Sequence, residues 1–114
     1  MNLKYIYKII NKEDLEKARS SGTYLGSSKD IKDGYIHFSG QEQVKGTFKK
    51  HYSGEENLIL LKVATLKLDH LVWEQSSDGN FFPHLYSALD FTNVDEDYEV
   101  NLDSEGNHKL PDNF

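Results

Sequence analysis

Gly34-Tyr35-Ile36-His37-Phe38-Ser39-Gly40 is the stretch from which this chain is best read. Successive strand residues point to opposite faces, so Ile36 and Phe38 share one side and Tyr35, His37 and Ser39 the other. The apolar pair can seat the strand on a core. The other face then presents an imidazole flanked by two hydroxyls. A neutral imidazole donates from one nitrogen and accepts at the other, which suits it to orient a ligand hydroxyl or phosphate.

Downstream, Ser39 with Glu42 three residues later resembles a capping arrangement, and a helix is predicted over about 41–52. Val44, Phe48 and Tyr52 form its apolar line, with Gln43 and Thr47 on an adjoining face. Gly46 in mid-helix weakens it by ~1 kcal/mol against alanine, which a close packing contact would justify. Upstream, residues 23–33 read as an irregular loop carrying Tyr24, Gly26 and Ser27 and ending in the turn signal Asp33-Gly34. This loop is either a flap over the His37 face or a plain connector.

Further out, residues 4–10 read as a first strand, apolar on both faces, followed by a helix capped by Asn11 and stopped at Ser20-Ser21-Gly22. Leu58 to Ala64 is continuously apolar and reads as a central strand buried on both sides. Val72-Trp73-Glu74 is a short strand, 76–80 a turn, and Phe81 to Tyr86 an irregular or edge segment because of Pro83. Residues 98–102 read as the last strand. The expectation from these segments is a single α+β domain over 1–102 with two main helices. A polar, loose tail follows over 103–114.

Composition narrows the function classes. The chain has 114 residues, 37% hydrophobic and 28% charged, with seven Tyr, six Phe and one Trp, a soluble pattern rich in rings. Without Cys there is no disulfide, thiolate nucleophile or Cys-based metal site. A reducing cytoplasm fits that composition, and Lys4 and Lys8 interrupt the N-terminal apolar run, so neither a signal peptide nor a membrane span is expected. The net charge of −6 is uneven, with eleven Lys/Arg against eight Asp/Glu in 1–62 and two against eleven in 63–114. An acidic C-terminal half argues against extended nucleic acid as a partner but not against a single nucleotide or other small molecule in a pocket. Oligomeric state is not readable.

His37 and His84 both lie in aromatic, strand-like surroundings with a Tyr two residues away, and Trp73-Glu74 precedes the second. They read either as one shared pocket or as core histidines bridging backbone groups. Glu74 is either an acid/base or ribose-binding carboxylate or a strand-end surface residue. His37, His84 and Glu74 resemble a two-His-one-carboxylate metal set, but no HxH or HxxxH spacing supports it, so no metal is assigned. No Gly-rich phosphate loop and no GxSxG elbow is present.

The order "YKI", "GTYLGSS", "DGYIHFSG", "LILLKV", "LVWE" and "FFPHLY", running from about Tyr7 to Val94, closely resembles the bacterial domain of unknown function 952. The resemblance implies kinship with ADP-ribosyltransferase-like folds, with a split, mostly antiparallel twisted sheet around a cleft of NAD type, NAD being the candidate cofactor or substrate. "GYIHFS" is similar to a "VHLS" segment of the RNA 2′-phosphotransferases, which would put His37 and Ser39 on the nucleotide cleft. Two departures stand out. The first strand, "YIYKII", lacks the His or Arg of the transferases, and Arg19 is the sole arginine, whereas bidentate phosphate recognition favours Arg.

The resulting expectation is a cleft with His37, Glu74 and His84 as catalytic candidates. Tyr24, Ser27, Ser39, Thr47, Trp73, Phe82 and Tyr86 would be its ligand-binding residues. The expected function is binding of NAD or an ADP-ribose-type nucleotide, with ADP-ribosyl or related glycosidic transfer if the protein is an enzyme. The alternatives are a non-catalytic small-molecule binding module on the same fold and a purely structural or partner-binding domain.

Overall fold

The structure is a computed structural model that describes residues 4–112 and 114. Met1, Asn2 and Leu3 of the expected domain, and Asn113 of the expected tail, lie outside the described residues. Strand β1 (Tyr5–Asn11) leads into helix α1 (Lys12–Ser21), whose first turn is capped by the Asn11 side chain accepting the Asp14 amide at 2.7 Å. Gly22 ends α1 in the left-handed region, φ 83°. Strand β2 (Thr23–Tyr24), helix α2 (Ser28–Asp33) and strand β3 (Ile36–His37) follow. A 3-10 turn at Gln41–Gln43 runs into helix α3 (Val44–His51). Strands β4 (Leu58–Ala64), β5 (Leu71–Gln75), β6 (Phe81–Leu85), β7 (Leu89–Asp90) and β8 (Val94–Val100) complete the chain.

The pairings are antiparallel and fall into three sheets: β1-β4-β8, β2-β7 and β3-β6-β5. β4 is central in the first, as its unbroken apolar run requires. Ile59, Leu61 and Val63 enter one buried cluster with Ile6, Ile10, Leu15 and Ala18, while Leu58 and Leu60 enter a second with Tyr7, Ile9, Val44 and Phe48. The sheet is thus sandwiched between α1 with the β3-β6-β5 sheet on one face and α3 on the other. Tyr7 and Ser39 exchange two backbone hydrogen bonds of 2.8 Å, so β1 is shared between its own sheet and the end of β3. The sheet splits at that bridge.

Four expectations need correction. Phe81 to Tyr86 is not an edge or irregular segment, since β6 runs through Pro83 and lies between β3 and β5. Residues 23–33 are not an irregular loop throughout, since β2 and α2 lie within them. α2 has a complete capping box, with the Ser27 hydroxyl accepting the Asp30 amide and Asp30 accepting the Ser27 amide. Ser39 does not cap the next helix. Gly40 occupies that position, with the Gln43 side chain accepting its N–H at 2.8 Å, and the Ser39 hydroxyl turns to Thr47 Oγ1 at 2.9 Å. Gly46 makes no close packing contact, because a Cβ there would meet nothing within 4 Å.

Within the segment expected as a tail, several described residues make defined contacts. Asp103 to Asn107 turns back so that Leu102 pairs with His108, whose ring lies 4.7 Å from Phe48 and whose Nε2–H donates to the Glu55 carbonyl at 2.8 Å. The Phe114 ring meets Tyr7 edge-on at 4.9 Å.

Candidate functional site

The β3-β6-β5 sheet has two unlike faces. Alternation puts Ile36, Leu71, Trp73, Pro83 and Leu85 towards the core, and His37, Val72, Glu74, Phe82 and His84 on the opposite face. His37 and His84 are direct cross-strand partners, with ring centroids 5.4 Å apart. Tyr35 stacks on His84 at 4.1 Å and 20° and touches His37 at 4.6 Å. These rings stand at the side of a cleft of about 1030 Å³ that opens where the sheet splits. Its opposite wall is α3 with the turn before it, through Gln43, Gly46, Thr47 and Lys50. Its floor reaches Tyr7, Lys8 and Asp30, and its lip is the 75–80 turn.

Each imidazole is held by a carboxylate. His37 Nδ1–H donates to Asp30 Oδ1 at 2.6 Å, and His84 Nδ1–H donates to Glu74 Oε1 at 2.8 Å. An ionised carboxylate only accepts, so these contacts fix Nδ1 as the donor and leave Nε2 as the other hydrogen-bonding atom of each ring. His37 Nε2 lies 3.1 Å from Asp33 Oδ2. The Tyr86 hydroxyl donates to the same Glu74 oxygen at 2.5 Å. The bonds from Tyr86 and His84 hold the Glu74 carboxyl below its ordinary range, and reciprocally the Tyr86 phenol is pushed up to about 12.

Asp30 is the hub. Its Oδ1 accepts from the His37 amide at 3.1 Å as well as from the ring, and its Oδ2 accepts from the Ser27 amide at 2.8 Å and pairs with Lys8 Nζ at 2.9 Å. Both members of the ion pair are buried, at 5% side-chain exposure for Lys8 and 1% for Asp30. Burial pushes the Asp30 carboxyl up, but the His37 hydrogen bond and the Lys8 charge more than offset it and leave the group well below the carboxylate range. Burial lowers the Lys8 pKa, against the raising effect of Asp30. Gly26 allows this packing: its φ is +112°, and a Cβ there would stand 2.7 Å from Asp30 Cβ.

The model of the family described as a protein of unknown function (DUF952) matches residues 9–96. The chain belongs to the DUF952 family. It is similar to the crystal structure of CC0527 from Caulobacter crescentus, a structural genomics target. Identity is 38% over 93% of this chain and 94% of that one, with a TM-score of 0.88. The solution NMR structure of CC0527 superposes with a TM-score of 0.86, covering 96% of each chain at 38% identity. None of the curated proteins matches the chain.

In this DUF952 chain the cleft gathers His37, His84, Ser27, Ser39, Thr47 and Phe82 from the residues singled out in the sequence. Glu74 and Tyr86 stand behind His84 and do not line it. Trp73 and Tyr24 are elsewhere. Adjacent strand residues cannot share a face, so with Glu74 beside His84, Trp73 turns to the core cluster, where Tyr24 is buried as well. Among the described residues the Tyr24 hydroxyl has no hydrogen-bond partner, and burial raises its pKa. Ser39 and Thr47 spend their hydroxyls on each other and on the Gln43 carbonyl.

Sequence reading missed Asp30, Lys8, Tyr35, Lys29, Lys50 and His51 as site residues, although Ser27-x-x-Asp30 is a capping-box signal. Among the described residues no group of three or more His, Asp or Glu could hold a metal ion, and no helix is long and apolar enough to cross a membrane.

Proposed function

We propose that the cleft binds a nucleotide of the NAD or ADP-ribose class, on a fold of ADP-ribosyltransferase-like kind. The observation that carries this reading is the cluster of Tyr35, His37 and His84 at the side of a cleft of about 1030 Å³. That volume is at the upper end of the range for small-molecule sites, about 300–1,000 Å³, and accommodates a dinucleotide. Tyr35 and Phe82 give aromatic surface for a base, and carboxylate-held imidazoles give oriented hydrogen-bonding groups for ribose hydroxyls. Lys29 and Lys50 supply positive charge at the cleft. Arg19 pairs with Asp97 at 2.8 Å and is not among the lining residues, so phosphate recognition would rest on lysine.

A binding role is favoured over transfer chemistry by the position of Glu74. A carboxylate that stabilises an oxocarbenium-like centre must face it, and Glu74 is occupied by His84 and Tyr86 behind the ring. One observation supports the catalytic reading: Glu74 orients His84 as an acid/base group. On that reading His84 touches the ligand and Glu74 positions it. Titration of the full chain with NAD or ADP-ribose, followed through the His37 and His84 ring signals by NMR, tests the proposal. Saturable shifts of both rings are expected, and unmoved signals at millimolar ligand would refute it. Release of nicotinamide from NAD, lost in His84→Ala, would favour the catalytic reading.

A further inference from the structure

Gln43, Gly46, Thr47 and Lys50 follow the spacing i, i+3, i+4, i+7 and share one side of the α3 region. All four line the cleft, while Val44 and Phe48 are buried in the core behind it. Gln43 is committed to the Gly40 N–H and the Phe81 carbonyl, and Thr47 to Ser39 and the Gln43 carbonyl. Gly46 has no such task. Glycine weakens a helix interior relative to alanine, and the usual reasons to keep it there are a positive φ or a close neighbour. Neither applies, since Gly46 is not among the positive-φ residues and a Cβ would meet nothing within 4 Å. What a side chain at this position would occupy is cleft space.

Beside this bare patch stand two ammonium groups. Lys50 is one turn on, and Lys29 comes from α2. Neither has a carboxylate within 4 Å among the described residues, although the chain carries a net charge of −6. Both disfavour protonation of His51, whose pKa is lowered first by burial and then by Lys29 and Lys50. The acids that line the cleft are largely engaged: Asp30 pairs with Lys8, Asp33 faces His37, and Asp78 accepts from Ser76 and Asn80. Glu42 is also at the cleft.

We infer that the α3 wall is the subsite for a phosphate or pyrophosphate group, with Gly46 leaving the room for it and Lys50 and Lys29 supplying the countercharge. The inference rests on the nucleotide reading of the cleft and adds where the charged part of the ligand lies. An open helix surface lets the group approach the main chain, and flexible lysines meet its charge without fixed bidentate geometry.

The test is amide NMR on the full chain, with ADP-ribose and inorganic pyrophosphate as separate probes, on the parent and on Gly46→Ala, Gly46→Leu and Lys50→Gln. Both probes are expected to shift the amides of Gly46, Thr47 and Lys50. Lys50→Gln should weaken both by about tenfold, the loss expected of one charge-assisted contact. Gly46→Leu should weaken ADP-ribose by at least about tenfold, while Gly46→Ala raises Tm by roughly 3–6 °C. If ADP-ribose moves the His37 and His84 signals but Gly46→Leu leaves its affinity unchanged, the subsite is overturned and the nucleotide reading survives. If pyrophosphate alone acts at Gly46 and Lys50, the subsite stands and the nucleotide reading fails. Failure of both probes to move these amides, or a lowered Tm in Gly46→Ala, overturns the inference.

Discussion

Replacing Asp30 with asparagine should destabilise the protein far more than its small change in shape suggests. Each carboxylate oxygen takes two donors: Oδ1 takes the His37 amide and ring, and Oδ2 takes the Ser27 amide and Lys8 Nζ. An asparagine keeps one accepting oxygen and puts an NH₂ where the other stood. Whichever way the amide is turned, two donors lose their acceptor, and in either orientation Lys8 is left at 5% exposure without its buried counter-charge. Removing one member of a buried ion pair costs about 3–5 kcal/mol. That is a large share of the roughly 5–15 kcal/mol that holds a domain together. Urea unfolding of Asp30→Asn, read by circular dichroism and Trp73 fluorescence, should show a loss in this range. Lys8→Met leaves Asp30 with three N–H donors and should cost less. The double variant should be more stable than the summed single losses predict, by about 2 kcal/mol or more. A loss below about 1 kcal/mol for Asp30→Asn, or strict additivity in the cycle, would refute the hub role of this carboxylate.

Two further outcomes follow from the same network. The Asp30 carboxyl is depressed in the folded state, so its contribution is fully present above the unfolded value of about 3.9 and is lost as pH falls below it. The stability gap between the parent and Asp30→Asn should therefore narrow as pH falls below about 4; a gap that held constant into acid would contradict this. At the other carboxylate, Glu74→Gln removes the anionic acceptor whose hydrogen bond, and then charge, hold the Tyr86 phenol up at about 12. Tyr86 should then titrate closer to the ordinary phenol value of about 10, as followed by its ring NMR signals. An unchanged titration would mean that Glu74 does not control it.

The parts of the fold legible in the sequence are those where one physical requirement leaves one pattern. "LILLKVA" is apolar throughout because β4 is buried on both faces. Asn11 and Gly22 bound α1 because a helix start needs an acceptor and this helix end needs a left-handed residue. The short helix α2 was hidden for the opposite reason. Its six residues include one large apolar side chain, Ile31, which is 65% exposed, so no periodic stripe exists to read. The site was half legible. Alternation within "GYIHFS" gives the polar face of His37, but that His84 lies directly opposite depends on a register that neither strand encodes alone. The same alternation, applied to Trp73-Glu74, separates two residues that proximity in sequence seemed to join. Lys8 and Asp30 gave no signal as a pair. A lysine in a strand reads as a solvent-facing residue until its partner, 22 positions away, is brought against it.

The bridge between Tyr7 and Ser39 has a mechanical consequence. Both of its hydrogen bonds are main-chain bonds, and both residues border the cleft. Prising the halves apart at this joint would break a pair of buried amide–carbonyl contacts, which side-chain repacking cannot replace. The spacing of the walls is therefore fixed by the backbone, while their chemistry is left to whatever side chains project inward. A frame of this sort can change what it receives through substitution at its lining without being rebuilt.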